Sequence, residues 1–347
     1  MKLTFRWYGP SDRVTLDQIR EIPTMSGVVT AIYDIKVGEE WPLDKILALK
    51  KIVNAKGLEM EVIESVPVPE DIKLGTGKRD YYISNYIKTI KNLSKAGVKC
   101  ICYNFMPVFD WLRTTLAYQN KDGSTSLAYL EEDFKKLDPK NLHLPGWDES
   151  YKPEELQKLL SAYQGMSHEK LLANMVYFLK AIMPACEEGD VKMAVHPDDP
   201  PWDIFGLPRI VSNEKDYENL FKAVPSKCNG VTLCTGSLGA SRANDVPALA
   251  DKLSKENRVF FLHLRNIRHF GTNDFQEVGH PSPCGSLNMA AIVEALVKNG
   301  FDGYVRPDHG RTIWNEPGKP GYGLFDRALG ATYIAGLFEE AERRYAK

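Results

Sequence analysis

Short apolar runs alternate along this chain with longer stretches whose apolar residues fall three and four apart. The runs at 3–9 (LTFRWYG), 27–34 (GVVTAIYD), 58–66 (LEMEVIESV) and 98–107 (VKCICYNFMP) are short and rich in β-branched and aromatic residues, so each predicts a strand. Between them, 43–56 carries Leu43, Ile46, Leu47, Ile52 and Val53 at helical spacing and stops at Gly57, and 81–96 stops at Gly97. The second half repeats the beat, with strands at 191–196, 230–235, 259–264 and 303–306. Helices are expected at 171–188, 217–223, 246–256, 287–298 and 324–345, with Pro184 disturbing the first of these near its end. Strands that alternate with helices lie parallel, and eight such units predict an α/β fold closed into a (β/α)8 TIM barrel. An open doubly wound sheet is the alternative, but no GxGxxG follows the first strand.

The rhythm breaks after the fourth strand. Residues 110–167 are polar, carry Pro139, Pro145 and Pro153, and show helical pieces at 127–137 and 153–164. This is too long for an ordinary connection. It reads as a helical insertion within a single 1–347 domain that caps the barrel mouth and either excludes water or forms a subunit contact.

Bulk composition narrows the class. With 347 residues, 43% hydrophobic and 26% charged, the chain can bury a large core. A net charge of −2 points to no nucleic-acid or membrane partner. Arg6 interrupts the start where a signal peptide needs an apolar core. The six cysteines form no CxxC pair and read as reduced thiols, so a cytoplasmic location is expected.

The chemistry gathers where strands five to eight end. VKMAVHPDD ends on His196, GVTLCTGSLG holds Cys234, VFFLHLRN holds His263, and GYVRPDHGR holds Arg306, Asp308 and His309. The donors lie 38, 29 and 45 residues apart (196 to 234, 234 to 263, 263 to 308), about one βα unit each. In a TIM barrel the C-terminal strand ends converge on the active site. His196, Cys234, His263 and Asp308 are therefore expected to close around one divalent metal. Imidazole, thiolate and carboxylate suit Mn, Fe, Co or Zn better than Ca or Mg. Singly, each has a plainer reading: a hydrogen-bonded core histidine, a small buried thiol, a cap. His143, His168, His269 and His280 fall in loops or helix starts, where solvation or capping is expected.

Arginines surround this point. Arg6 ends strand one beside Trp7, Arg265 follows His263 by two, and Arg306 precedes Asp308 by two. Guanidinium forks suit a carboxylate or phosphate, while salt bridges that brace the barrel are the alternative for one or two of them. No P-loop is present, and Glu316 in the Gly-rich 310–323 loop disfavours phosphate. A sugar acid with one carboxylate fits better. In PGYGLF, glycines on both sides of Tyr322 let the loop bend back over the mouth, against the alternative that Tyr322 packs at the start of the last helix.

Taken together, FRWYG at 5–9, HPDDPP at 196–201, LCTGS at 233–237, HLRN at 263–266, RPDHGR at 306–311 and PGYGLFDRALG at 320–330 resemble the mannonate dehydratase family of the xylose-isomerase-like barrels, nearly end to end. The resemblance implies conversion of D-mannonate to 2-keto-3-deoxy-D-gluconate and water, a step in glucuronate breakdown. It implies a hydro-lyase with Mn2+ or Fe2+ held by His196, Cys234, His263 and Asp308, and a homodimer. His309 and Tyr322 match the family's catalytic pair, with base and acid left open between them. Arg6, Trp7, Arg265, Asn266 and Arg306 are the expected substrate-binding set. Three rival readings stand beside it. A sugar isomerase or epimerase on the same barrel would ordinarily use more carboxylate ligands. A phosphodiesterase would use more metals. A non-catalytic sugar-acid binding protein would form no product.

Overall fold

The computed structural model describes residues 1–138 and 152–345. The strands are β1 (Lys2–Arg6), β2 (Gly27–Thr30), β3 (Glu59–Glu64), β4 (Cys100–Tyr103), β5 (Thr115–Gln119), β6 (Thr125–Tyr129), β7 (Lys192–Val195), β8 (Asn229–Cys234), β9 (Val259–Leu264), β10 (Ile267–His269), β11 (Phe275–Glu277) and β12 (Tyr304–Pro307). Eight of them close into a barrel in the order β1-β12-β9-β8-β7-β4-β3-β2, and every pairing in it is parallel. The barrel interior is filled by Val29, Val62, Cys100, Cys102, Ala194 and Phe261. Outward-facing residues such as Phe5, Ile63, Ile101, Met193 and Leu262 pack under the helices. Both faces are thus buried, which is why these strands read as apolar runs.

The helices fall where periodicity placed them, among them Leu43–Asn54, Arg79–Lys95, Val246–Lys255, Met289–Lys298 and Phe325–Tyr345. Several begin on a side-chain cap: Ser167, Asn213, Asp245 and Asn288 each accept a backbone N–H from the first turn. Pro184 does not end its helix. Helix His168–Gly189 runs through it and stops at Asp190 in the left-handed region (φ 48°). Burial of Phe178, Leu179, Ile182, Met183 and Cys186 on that helix outweighs the missing hydrogen bond. None of the helices among the described residues is long and apolar enough to cross a membrane.

The insertion departs from its expected form in part. Helix Pro153–Ala162 is present, whereas 127–137 is not one helix. Its first residues belong to β6, followed by the short helix Glu131–Phe134. Leu127, Ala128 and Tyr129 are fully buried, and β6 pairs with β5 on one side and β11 on the other. Pairing across the fold overrides the local helical spacing. The result is a four-stranded antiparallel sheet, β10-β11-β6-β5, built from the segment after β4 and the segment after β9. Tyr129 stacks on Phe275 at 5.8 Å between ring centres, within a cluster that includes Phe109, Leu112, Leu156 and Ile267. Pro139, Pro145 and His143 lie outside the described residues.

Candidate active site

The ends of β1, β3, β4, β7, β9 and β12 lead to one cavity of about 140 Å³. Its wall includes Arg6, Glu64, Trp111, Asp308, His309 and Tyr322. His196 follows β7, and its Nδ1–H donates to the carbonyl of Pro197 at 2.7 Å, which leaves Nε2 for the Cys234 sulfur. Cys234 ends β8, fully buried, and Ser237 Oγ donates to its sulfur at 3.1 Å. His263 lies near the end of β9, fully buried, with its ring centre 5.1 Å from that of His196. Ligating atoms of His196, Cys234 and His263 all lie within 4.8 Å of one another. Asp308, just past β12, adjoins this group with Oδ2 3.5 Å from the Cys234 sulfur. A second group within the same limit, Glu64, Cys102 and His263, shares His263 with the first. His263 Nε2 and Glu64 Oε2 approach to 3.3 Å without a hydrogen bond between them, and both are buried without another partner. Buried polar atoms left open in this way fit a cation between them.

Neighbouring protein charges set the ionisation of these groups. Burial alone would raise the Cys234 thiol, but Arg265 and His196 beside it outweigh this and bring it down to about 5. Burial would lower His196, yet the Cys234 thiolate and Asp308 hold it up at about 9. Asp308 stays well below the usual carboxylate range because His309, Arg306 and Arg265 overcome its desolvation.

His309 and Tyr322 meet at the cavity wall. His309 Nε2 lies 2.8 Å from the Tyr322 hydroxyl, and His309 Nδ1 lies 2.8 Å from Glu277 Oε1. Gly321 brings Tyr322 there: its φ of +81° turns the chain, and its carbonyl accepts the Gly310 N–H at 2.9 Å. A Cβ at Gly321 would stand 2.8 Å from Leu127, so the loop is seated against β6. Tyr8 meets the Tyr322 ring edge-on at 5.0 Å. Burial, reinforced by Tyr8 and Asp308, pushes the Tyr322 phenol well above its ordinary range, so it is protonated at neutral pH.

The three arginines differ. Arg265 is spent on Asp199 (2.8 Å), Glu277 (2.8 Å) and Ser237 (2.8 Å). Arg306 contacts Glu64 at 3.0 Å and Asp308 at 2.9 Å. Arg6 lies over the Tyr8 ring at 4.6 Å and keeps Nη1 without a hydrogen-bond partner. Trp7 and Asn266 are not brought to the cavity. Trp7 is buried in the core outside the barrel strands. Asn266 ties its own loop, donating to the Pro281 carbonyl at 2.9 Å and accepting the Leu287 N–H at 3.2 Å. Each sits next to an inward arginine, and adjacent residues on an extended chain point to opposite faces. Among the other histidines, His168 is exposed and faces Asp203 at 2.9 Å. His280, expected in a solvated or capping place, is buried against Gly330, where a Cβ would fall 2.3 Å from its Nδ1.

Four polar residues escaped the sequence reading. Glu64 ends β3 as the expected donors end theirs. Asp199 stands in the HPDDPP run without having been given a role. Arg113 and Glu277 come from the accessory sheet and its approach. Arg113 holds Asp199 with two nitrogens (2.7 and 3.0 Å) and Glu277 at 2.9 Å, all fully or almost fully buried.

A family profile described as D-mannonate dehydratase (UxuA) matches residues 1–347. A mannonate dehydratase from Streptococcus uberis is 54% identical over 341 residues, covering 98% of each chain. Mannonate dehydratase 2 from Halalkalibacterium halodurans is 52% identical over 341 residues, 98% of this chain and 99% of the relative. The crystal structure of mannonate dehydratase from Streptococcus suis serotype 2 superposes with a TM-score of 0.94 at 49% identity, covering 100% of this chain and 96% of that one. A match over the whole length, at this identity and with this superposition, makes the chain a member of the D-mannonate dehydratase family.

Proposed function

We infer that this chain removes water from D-mannonate to give 2-keto-3-deoxy-D-gluconate, with His309 and Tyr322 as the groups that move protons. One observation carries the division of labour: a protonated Tyr322 phenol lies 2.8 Å from His309 Nε2, beside the Asp308 carboxylate. His196, Cys234, His263 and Asp308 would hold one divalent cation, Mn2+ or Fe2+ by the mixed nitrogen, sulfur and oxygen donors. Such an ion, when bound, supplies Lewis-acid stabilisation of negative charge at the carboxylate end of the substrate.

The chain's own residues do the rest. Arg6, with one guanidinium nitrogen unpartnered, offers the carboxylate a charged fork. Arg265 and Arg306 hold the buried acids in place. His309 Nε2 takes the proton from C2, and the freed electron pair forms the C2–C3 double bond as the C3–O bond breaks. Tyr322 gives its proton to the departing hydroxyl, which leaves as water. The enol at C2 then becomes the ketone as C3 gains a proton, and no electron is exchanged with a cofactor. The hydrogen bond between His309 and Tyr322 gives the proton a path back to the phenol. The described parts of the 110–167 segment act as a cap of the mouth: Trp111 lies 5.4 Å from the His309 ring and lines the cavity. The resemblance extends this reading to a homodimer working in the cytoplasm.

Metal-stripped protein given D-mannonate with Mn2+ is expected to form a product lighter by one water, and to form none with chelator. Metal uptake without product would favour isomerisation or epimerisation of a related sugar acid. Uptake has its own signature. His196 is protonated at neutral pH in the metal-free site and must be neutral to ligate. Loading Mn2+ is therefore expected to release about one proton, read by titration calorimetry in buffers of different ionisation enthalpy. Tight uptake with no proton release would mean either that His196 is neutral before loading or that it is not a ligand.

A further inference from the structure

Glu277 lies on β11, outside the barrel, yet its carboxylate reaches the site. Its Oε1 sits 2.8 Å from His309 Nδ1, 2.8 Å from Arg265 Nη1 and 2.9 Å from Arg113 Nη2. Residue and partners are buried. Burial alone would raise this acid, but His309, Arg265 and Arg113 outweigh it and keep it below its ordinary value, so it is an acceptor only. Arg265 Nη1 also comes within 3.1 Å of His309 Nδ1. If Nδ1 accepted from Arg265, its lone pair would face the carboxylate oxygen at 2.8 Å, which is repulsive. The consistent arrangement has the proton on Nδ1, donated to Glu277, and the lone pair on Nε2, facing Tyr322.

We propose that Glu277 is a positioning residue for the dehydration: it fixes His309 in the tautomer that carries its proton on Nδ1, so that Nε2 is the base. The inference rests on the reading of His309 as base. It gives the accessory sheet a part in proton transfer besides covering the mouth. Arg113 and Arg265 flank the carboxylate, so Oε1 is held from both sides while Oε2 is left without a hydrogen-bond partner. A carboxylate that merely braced two arginines would have no need to meet the histidine as closely as it meets Arg265.

The test is nitrogen NMR of histidine-labelled, Zn2+-loaded protein, with His309→Asn as the blank that assigns the ring. The wild type is expected to show His309 protonated on Nδ1 alone. Glu277→Met should give a mixed tautomer and a kcat about 10²- to 10⁴-fold lower, with KM nearly unchanged. Glu277→Gln keeps an acceptor oxygen and should restore the Nδ1 tautomer and most of the lost kcat. His309 protonated on Nε2 in the wild type would overturn the proposal, as would a folded Met variant with the wild-type tautomer and kcat. Should the Met variant fail to fold, the wild-type spectrum decides alone. A wild type that leaves D-mannonate intact would sink the dehydration reading, while the spectrum would still judge Glu277.

Discussion

Tyr322→Phe is expected to lower kcat by about 10²- to 10⁴-fold, the usual worth of a positioned general acid, with metal content unchanged. The substitution removes one oxygen. The ring that meets Tyr8 edge-on at 5.0 Å is kept, and so is the Gly321 turn that places it. Tyr322 is not a member of the metal-capable group of His196, Cys234 and His263, so ligation should be untouched. What is lost is the proton for the leaving hydroxyl and the partner of His309 Nε2. Steady-state kinetics on D-mannonate, elemental analysis and a thermal melt separate these effects. Turnover near that of the wild type would take Tyr322 out of the mechanism.

The second large effect falls on folding. Asp199→Ala leaves Arg113 and Arg265 as buried guanidinium groups stripped of a shared carboxylate. Removing one partner of a buried ion pair costs about 3–5 kcal/mol, because the remaining charge keeps its desolvation penalty. Urea unfolding should show that loss in the midpoint. Its pH dependence has a definite sign. Burial would raise Asp199, but Arg113 and Arg265 hold it far below the usual carboxylate range. Its contribution is therefore fully present above the unfolded value of about 3.9 and is lost as pH falls from there toward the native value. The gap between wild type and variant should stay constant around neutrality and narrow only in acid. A gap that closes near neutral pH would mean that another group supplies the stability.

The barrel was legible because each of its strands is buried on both faces, so an apolar run marks it whatever its partners. The proposed donors stood out for the complementary reason: His196, Cys234 and Asp308 stand where such a run stops. Glu277 had no comparable mark. Its three-residue strand exists by pairing with β10 on one side and, on the other, with Ala128 and Tyr129 of β6, far away in the chain. Residues 127–137 misled because the partners that make Leu127–Tyr129 a strand, β5 and β11, both lie outside that stretch. Trp7 and Asn266 lie off the cavity although they adjoin Arg6 and Arg265, because strand alternation sends neighbours to opposite faces.

The accessory sheet has a consequence for transplanting this site. Its strands come half from the segment after β4 and half from the segment after β9, and Arg113 of the first grips Glu277 of the second. Neither loop carries a finished module. A designer who grafts one of them onto another barrel imports an unpaired strand edge and an unmatched buried charge. The heritable unit is the pair of loops together, and recombination between relatives should tolerate crossovers that exchange both or neither.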